Sequence, residues 1–244
     1  MLVEFLGCVV YNLIATGVLS ATAVLTFGEL LAPRLVVVAL GNGFGYLTGL
    51  FLTSIRGDQV AYLNPAITAS LMALYPLNKT KMNPLKGLLN MLAQVLGTAI
   101  GIALVIAIVP DADKSNENLG VPALMYGTSS GSGFAIEALG AFFLTWIVLA
   151  NEAYTLAGPR STSTPLALGT AMTSLQLFAF PFTTACFNPV RAMCLFLFSG
   201  TSGSDLVTFV SAPFVGSLIA TGLYLVAFTN TGVLQTSKSA SAKL

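Results

Sequence analysis

The sequence predicts an all-α membrane protein, with six transmembrane helices and two re-entrant half-helices arranged as an inverted repeat. The composition is the first reason, because 55% of the 244 residues are hydrophobic and only 8% are charged. The second is that six apolar stretches are long enough to cross a bilayer. The third is a pair of shorter apolar stretches, which begin with Asn-Pro at matching places in the two halves of the chain.

The shortage of charge indicates that lipid, rather than water, surrounds most of the protein. A soluble domain carries about 25% charged residues, whereas this chain has 8% and a mean hydropathy of +0.86. The net charge is +1 and the Lys and Arg residues are scattered, which argues against a nucleic-acid partner, because such a surface needs clustered basic residues. We therefore expect a multi-pass integral protein of the plasma membrane or an internal membrane.

Histidine and cysteine usage argues against enzyme chemistry. The chain has no histidine, which removes the commonest general base and the commonest metal ligand. Its cysteines, Cys8, Cys186 and Cys194, lie in apolar runs without metal-binding spacing. We interpret them as buried free thiols and predict no enzymatic activity, no metal site and no cofactor.

The six long apolar stretches are predicted to be helices, because a backbone in lipid must satisfy its own hydrogen bonds. Helix-start residues support three of them: Asn83-Pro84, Thr164-Pro165 and Asp205 each pair an N-cap side chain with a residue that can begin a helix. The predicted spans are Leu2–Leu25, Leu35–Ile55, Leu85–Val109, Gly133–Ala150, Pro165–Phe182 and Asp205–Phe228.

The two short stretches reveal an internal repeat. Asn64–Tyr75 follows the second span and Asn188–Phe198 follows the fifth, so the order of three spans with one half-helix occurs twice. Because three is an odd number, the second copy enters the membrane inverted, and inverted repeats place functional sites near the bilayer midplane. Glu4 in the first helix corresponds to Glu137 in the fourth.

Domain limits and orientation follow from the same pattern. We expect a single membrane domain over residues 1–230, with repeats at about 1–109 and 133–230, and a disordered cytoplasmic tail at 231–244. Basic residues outside the spans favour cytoplasmic N- and C-termini. In that orientation the inner side receives Lys79, Lys81, Lys86, Arg160, Lys238 and Lys243, and the outer side receives Arg34 and Lys114.

The two Asn-Pro segments have a chemistry of their own. Asn is a strong N-cap and Pro is favoured at the first helical position. A short helix capped in this way directs unsatisfied N–H groups and a partial positive charge out of its start. Asn-Pro is also a generic helix-start signal, and Asn83-Pro84 is interpreted as one. A generic helix start is a weaker explanation for Asn64-Pro65-Ala66 and Asn188-Pro189-Val190. Each of them begins an apolar segment too short to span the membrane, and the two segments lie at equivalent places in the two halves of the chain.

Taken together, these segments resemble the aquaporin family, also called the major intrinsic proteins, over about residues 1–230. The resemblance implies six tilted helices around a pore, two half-helices that meet end to end at its centre, and a homotetramer with one pore per subunit. It also implies that Glu4 and Glu137 brace loop backbone behind the pore. The segments that carry it are Glu4-Phe5-Leu6-Gly7, Leu63-Asn64-Pro65-Ala66-Ile67-Thr68, Ala93-Gln94-x-x-Gly97, Glu137, Pro165-Leu166-Ala167-Leu168-Gly169 and Asn188-Pro189-Val190-Arg191.

The resemblance further implies a narrow outer constriction formed by Phe44, Gln176, Ala185 and Arg191, which gapless matching to the family pattern identifies. Phe44 and Arg191 are what water-selective members have. Gln176 stands where those members usually carry histidine, and Ala185 stands where many carry cysteine. Ala192 follows the arginine where glycerol-conducting members typically have aspartate, which counts against glycerol.

The residues themselves support a functional interpretation of Arg191, because a lone arginine in an apolar half-helix is costly. The alternative is a buried ion pair with Glu137. Val190 replaces the alanine of the second family motif, with either a small repacking or an altered flow as the consequence.

Three functions remain open at this point. The first is a passive water channel that excludes ions and protons. The second is a broader channel for small neutral solutes such as urea, ammonia, hydrogen peroxide or small polyols, which Gln176 and Ala185 motivate. The third is a structural membrane protein with a poorly conducting pore. The expected partners are water, the lipid bilayer, other copies of the chain and, in the second case, small neutral solutes.

Overall fold

The structure is a computed structural model, and it describes residues 1–24, 31–54, 61–77, 80, 82–110, 116–157, 163–201, 203 and 205–229. Throughout these residues the regular secondary structure is helical. Within this part of the chain, six helices are long and apolar enough to cross a membrane, and two apolar helices are shorter, which confirms the predicted fold class. The predicted tail at 231–244 lies outside the described residues.

The six long helices include most of each predicted span and differ from it at the ends. Helix α2 begins at Leu31 rather than Leu35, because Pro33 is tolerated in a first helical turn. Helix α6 continues to Ala157, beyond the polar residues at which the prediction ended it. The helices in chain order are α1 Leu2–Val24, α2 Leu31–Thr53, α3 Pro65–Leu74, α4 Pro84–Ile108, α5 Asn116–Leu119, α6 Ser130–Ala157, α7 Thr164–Thr183, α8 Pro189–Ser199 and α9 Leu206–Thr229.

The helix starts show one correct cap and one error. Asn83 caps α4, because its side chain accepts a hydrogen bond of 2.8 Å from the backbone N–H of Lys86. Thr164, in contrast, is the first residue of α7 and not its cap. Its hydroxyl donates to Asn151 Oδ1 at 2.8 Å instead and ties α7 to α6. The four-residue helix α5 lies in the loop after α4 and was not predicted.

The two halves of the chain pack alike. Helix α1 packs against α2 and α4, helix α6 packs against α7 and α9, and the contact between α2 and α7 joins the halves. Glycines allow the closest approaches: a Cβ on Gly97 of α4 would meet the Phe5 carbonyl, and one on Gly216 of α9 would meet the Ala138 carbonyl. Each of these carbonyls belongs to the residue that directly follows Glu4 or Glu137.

The half-helices α3 and α8 fill the space between the halves. Helix α3 has 10 residues and packs against α4, α6 and α9. Helix α8 has 11 residues and packs against α4 and α9. The two also contact each other. Their position brings residues from both halves of the chain to one place inside the bundle.

Candidate functional site

Both half-helices begin with a capping asparagine. Asn64 is extended, and its Oδ1 accepts a hydrogen bond of 3.0 Å from the backbone N–H of Ala66. Asn188 is also extended, and its Oδ1 accepts from Val190 N at 3.2 Å and Arg191 N at 3.4 Å. A proline follows each asparagine at the start of the helix, where a backbone N–H would have no helical partner.

The two capping side chains also hold the half-helices together. The amide Nδ2 of Asn64 donates to the carbonyl of Phe187 at 2.9 Å, and Nδ2 of Asn188 donates to the carbonyl of Leu63 at 2.7 Å. The residue before each asparagine therefore accepts a bond from the asparagine of the opposite half. We call this reciprocal pair of bonds the junction. It aligns the positive N-terminal ends of α3 and α8 toward each other.

An unusual backbone conformation shapes the junction. Leu63 has a φ of 58° and Phe187 a φ of 51°, in the left-handed region that disfavours residues with a Cβ by about 1–2 kcal/mol each. Such strain persists where surrounding contacts fix the backbone. Here the carbonyl of each residue accepts the asparagine of the other half, while its N–H group points to a buried carboxyl group.

Glu4 provides that carboxyl group in the first half. The side chain is buried, and its oxygens accept hydrogen bonds from Tyr62 N at 3.0 Å and Leu63 N at 3.0 Å. Gln94 Nε2, from α4, donates to the same carboxyl group at 2.9 Å. Glu4 thus binds the backbone of the link that leads into α3.

Glu137 has the equivalent place in the second half. It is buried and accepts hydrogen bonds from Cys186 N at 3.1 Å and Phe187 N at 2.6 Å. The hydroxyl of Thr183 donates to it at 2.7 Å. In both halves, therefore, a glutamate from the first helix of the repeat holds the two residues that precede the capping asparagine.

Arg191 lies one turn into α8 and is 4% exposed. Its Nη1 donates to Asn12 Oδ1 at 2.8 Å and to Thr16 Oγ1 at 3.1 Å, both on α1. The guanidinium carbon stands 5.6 Å from the centre of the Tyr11 ring, within range of a cation–π contact. The alternative of a buried ion pair with Glu137 is not what the structure shows, since the hydrogen bonds of that carboxyl group come from the loop before Asn188 and from Thr183.

Gln176 and Ala185 are joined by a hydrogen bond. Gln176 Nε2 donates to the Ala185 carbonyl at 2.7 Å. Among the described residues, Gln176 Oε1 and the hydroxyl of Tyr11 are buried polar atoms without a protein partner. Because nearly all buried polar atoms in native proteins are hydrogen-bonded, each of these two atoms still has the capacity to bond to a small polar molecule.

Phe44 lies apart from Arg191, Gln176 and Ala185. Its side chain is 57% exposed and lies on the same face of α2 as the exposed Val37, Leu40 and Phe51. The interior face of α2 is the one that carries Tyr46, whose hydroxyl donates to the Tyr62 carbonyl at 2.9 Å. Two residues along a helix differ by about 200° around its axis. Phe44 therefore points away from the interior, and its assignment to a constriction rests on the sequence match.

The sequence analysis missed the α1 residues that contact Arg191. A signal for them exists, since polar or small side chains recur every fourth residue along α1 in an otherwise apolar helix. This spacing puts them on one helix face, and all five are buried. The five residues in this row are Glu4, Cys8, Asn12, Thr16 and Ser20, of which Asn12 and Thr16 bond to Arg191 and were missed.

Comparisons with known proteins match nearly the whole chain. A family model described as "Major intrinsic protein" matches residues 1–224. Aquaporin-1 of the sheep Ovis aries is 26% identical over 202 residues, which cover 80% of this chain and 64% of that protein. Aquaporin C of Dictyostelium discoideum is 27% identical over 235 residues, or 96% of this chain and 81% of that protein. For some relatives, including the sheep protein, the match thus spans less than two thirds of their length.

A solved structure has the same fold. The aquaglyceroporin from Plasmodium falciparum superposes with a TM-score of 0.71, covering 95% of this chain and 96% of that chain. The sequence identity is 18%, so the likeness concerns the fold alone.

Proposed function

The chain belongs to the major intrinsic protein family of membrane channels, and from this premise we propose that it is a passive channel which conducts water and excludes ions and protons. The junction is the observation that carries the proposal. It joins two helix N-termini inside the bundle through the side chains of Asn64 and Asn188. Transport through such a channel runs down existing gradients.

The junction supplies the means to separate water from protons. An asparagine amide has two N–H donors, and each junction asparagine uses one of them on a carbonyl of the other half. The second donor of each is available to a passing water molecule. A water molecule that accepts these bonds turns its oxygen toward the asparagines and interrupts a continuous hydrogen-bonded chain. The positive ends of α3 and α8 further raise the energy of a cation at this point.

The constriction of the proposed channel is built around Arg191, with Gln176 and Ala185 on the other elements. Within the described residues, the side-chain hydrogen bonds of Arg191 come from Nη1 alone. Its Nε and Nη2 groups are therefore the donors available to a permeating molecule. Tyr11 joins this group in the proposal, because its ring lies beside the guanidinium and its hydroxyl has no protein partner within the described chain.

Glu4 and Glu137 act behind the conduit in this proposal. Each accepts the N–H groups of the two residues that precede a junction asparagine. They keep the carbonyls of Leu63 and Phe187 in position for the opposite asparagine. Their role is to fix geometry and not to relay protons.

The assembly and orientation are also proposals. Family membership supports a homotetramer with one conduit per subunit. The bias of Lys and Arg toward one side of the six spans supports cytoplasmic N- and C-termini.

A second candidate is a channel for small neutral solutes. It is favoured by the small side chain of Ala185 and by Gln176 Oε1, a buried acceptor without a partner among the described residues. An acceptor of this kind suits the N–H or O–H donors of urea or a small polyol as well as it suits water.

Osmotic experiments distinguish these functions. Purified protein is reconstituted into liposomes, and light scattering follows their volume under sucrose, glycerol and urea gradients. The water-channel proposal expects fast shrinkage without re-swelling, whereas re-swelling in glycerol or urea supports the second candidate. Shrinkage no faster than that of bare lipid would contradict both. Arg191→Val should admit larger solutes or protons, and unchanged selectivity would remove Arg191 from the proposed constriction.

A further inference from the structure

Arg191 is a buried cation held by neutral groups. Among the described residues, its side-chain hydrogen bonds go to the amide of Asn12 and the hydroxyl of Thr16, which lie one turn apart on α1. All three side chains are buried. An arginine side chain is long and has many rotamers, and these contacts restrict it to one position against α1.

The orientation of Asn12 is itself fixed. Its Nδ2 donates to the Cys8 carbonyl at 2.9 Å and to Thr98 Oγ1 of α4 at 3.2 Å. Because the carbonyl can only accept, the amide nitrogen must face it and the amide oxygen must face Arg191. The hydrogen bonds thus run from α4 through α1 to the guanidinium of α8.

We propose that Asn12 and Thr16 are positioning residues, which hold Arg191 in one place at the wall of the conduit and preserve its full positive charge. The inference rests on the proposed channel function. A carboxylate could hold the guanidinium equally well, but its negative charge would cancel much of the field that repels protons and cations. An amide and a hydroxyl restrain the side chain without this cancellation.

Two kinds of variant separate the position of Arg191 from its charge. The pair Asn12→Leu and Thr16→Val removes both acceptors and releases the guanidinium. Arg191→Val sets the reference change in the ratio of urea to water permeability. We expect the pair of replacements to change this ratio in the same direction and by more than half as much. Asn12→Asp keeps an acceptor but adds a negative charge, and we expect it to raise proton flux while the urea-to-water ratio stays near that of the unaltered protein.

Asn42→Leu is the matched control. Asn42 is a buried asparagine of α2 whose Nδ2 donates to the Val38 carbonyl at 3.1 Å, four residues earlier, much as Asn12 donates to Cys8. Removing it should leave the ratio of permeabilities unchanged. Permeabilities are divided by the amount of folded protein, measured by size-exclusion chromatography and circular dichroism. If Asn12→Leu does not fold, Thr16→Val alone replaces the pair.

A double-variant comparison tests whether Asn12 and Thr16 act through Arg191. In an Arg191→Val background, the Asn12 and Thr16 replacements should cause no further change in the urea-to-water ratio. The inference is overturned if those replacements leave the ratio unchanged while Arg191→Val alters it, or if their effect persists without Arg191. The proposed function has a separate test, because an unaltered protein without water flux would contradict the channel itself.

Discussion

The replacement Glu137→Ala tests how the junction is held. Glu137 accepts hydrogen bonds from Cys186 N at 3.1 Å, Phe187 N at 2.6 Å and the Thr183 hydroxyl at 2.7 Å. The hydroxyl of Thr183 can rotate toward another acceptor, whereas the two backbone N–H groups are buried with their residues and cannot. Alanine therefore leaves two buried donors unsatisfied.

The size of the effect follows from these contacts. An unsatisfied buried donor costs about 1–3 kcal/mol, so the two backbone groups together cost about 2–6 kcal/mol. The left-handed conformation of Phe187 adds about 1–2 kcal/mol in favour of relaxation once the carboxyl group is gone. Relaxation would move the Phe187 carbonyl, which is the acceptor for Asn64. We expect a lower unfolding temperature and also less water flux per folded molecule.

The measurement combines thermal unfolding in detergent with osmotic shrinkage of liposomes. Thr145→Val is the control, because Thr145 shares α6 with Glu137 and its hydroxyl pairs with Ser217 at 2.7 Å, away from the junction. Loss of this hydrogen bond should reduce the free energy of unfolding by about 1–2 kcal/mol and leave the water flux per folded molecule unchanged. The reasoning is refuted if Glu137→Ala has the stability and flux of the unaltered protein, or if it loses no more flux than Thr145→Val.

Three further changes have defined outcomes. Gly216→Ala should reduce the folded yield, because the new Cβ would meet the Ala138 carbonyl, whereas Gly222→Ala should not, because nothing lies within 4 Å of a Cβ there. Equal yields of the two variants by size-exclusion chromatography would contradict the close packing of α6 and α9. Gln176→Leu should lower both water flux and unfolding temperature, since it removes the donor to a loop carbonyl 2.7 Å away; unchanged values of both would show that this bond is dispensable. Asn83→Ala should lower the unfolding free energy by about 1 kcal/mol, because the helix cap is lost, and should leave the water flux per folded molecule unchanged. A fall in this flux would contradict a purely structural role for Asn83.

Local features of this fold could be predicted because they depend on neighbouring residues. Hydropathy identified the six spans, since a helix in lipid needs about 20 apolar residues. The Asn-Pro pairs indicated where α3 and α8 begin, because capping involves residues two or three positions apart. The Thr164 error arose from the same local reasoning, since that hydroxyl bonds to Asn151 of another helix.

The contacts between the halves could not be predicted in this way. The bond from Asn64 to Phe187 joins positions 123 residues apart, and the left-handed conformation of Phe187 runs against its own preference. The rotation of α2 about its axis is likewise set by packing against α1 and α7. Motif spacing assigned Phe44 to the constriction, and its side chain is 57% exposed on the face of α2 opposite Tyr46.

The most direct test of the account measures water and proton flux in the same liposomes. Proteoliposomes loaded with a pH-sensitive dye are exposed to an osmotic gradient and then to a pH gradient. With the asparagine junction at its centre, the protein should accelerate shrinkage well above bare lipid and leave dissipation of the pH gradient at the bare-lipid rate. Shrinkage at the rate of protein-free liposomes, or proton flux that rises together with water flux, would contradict it.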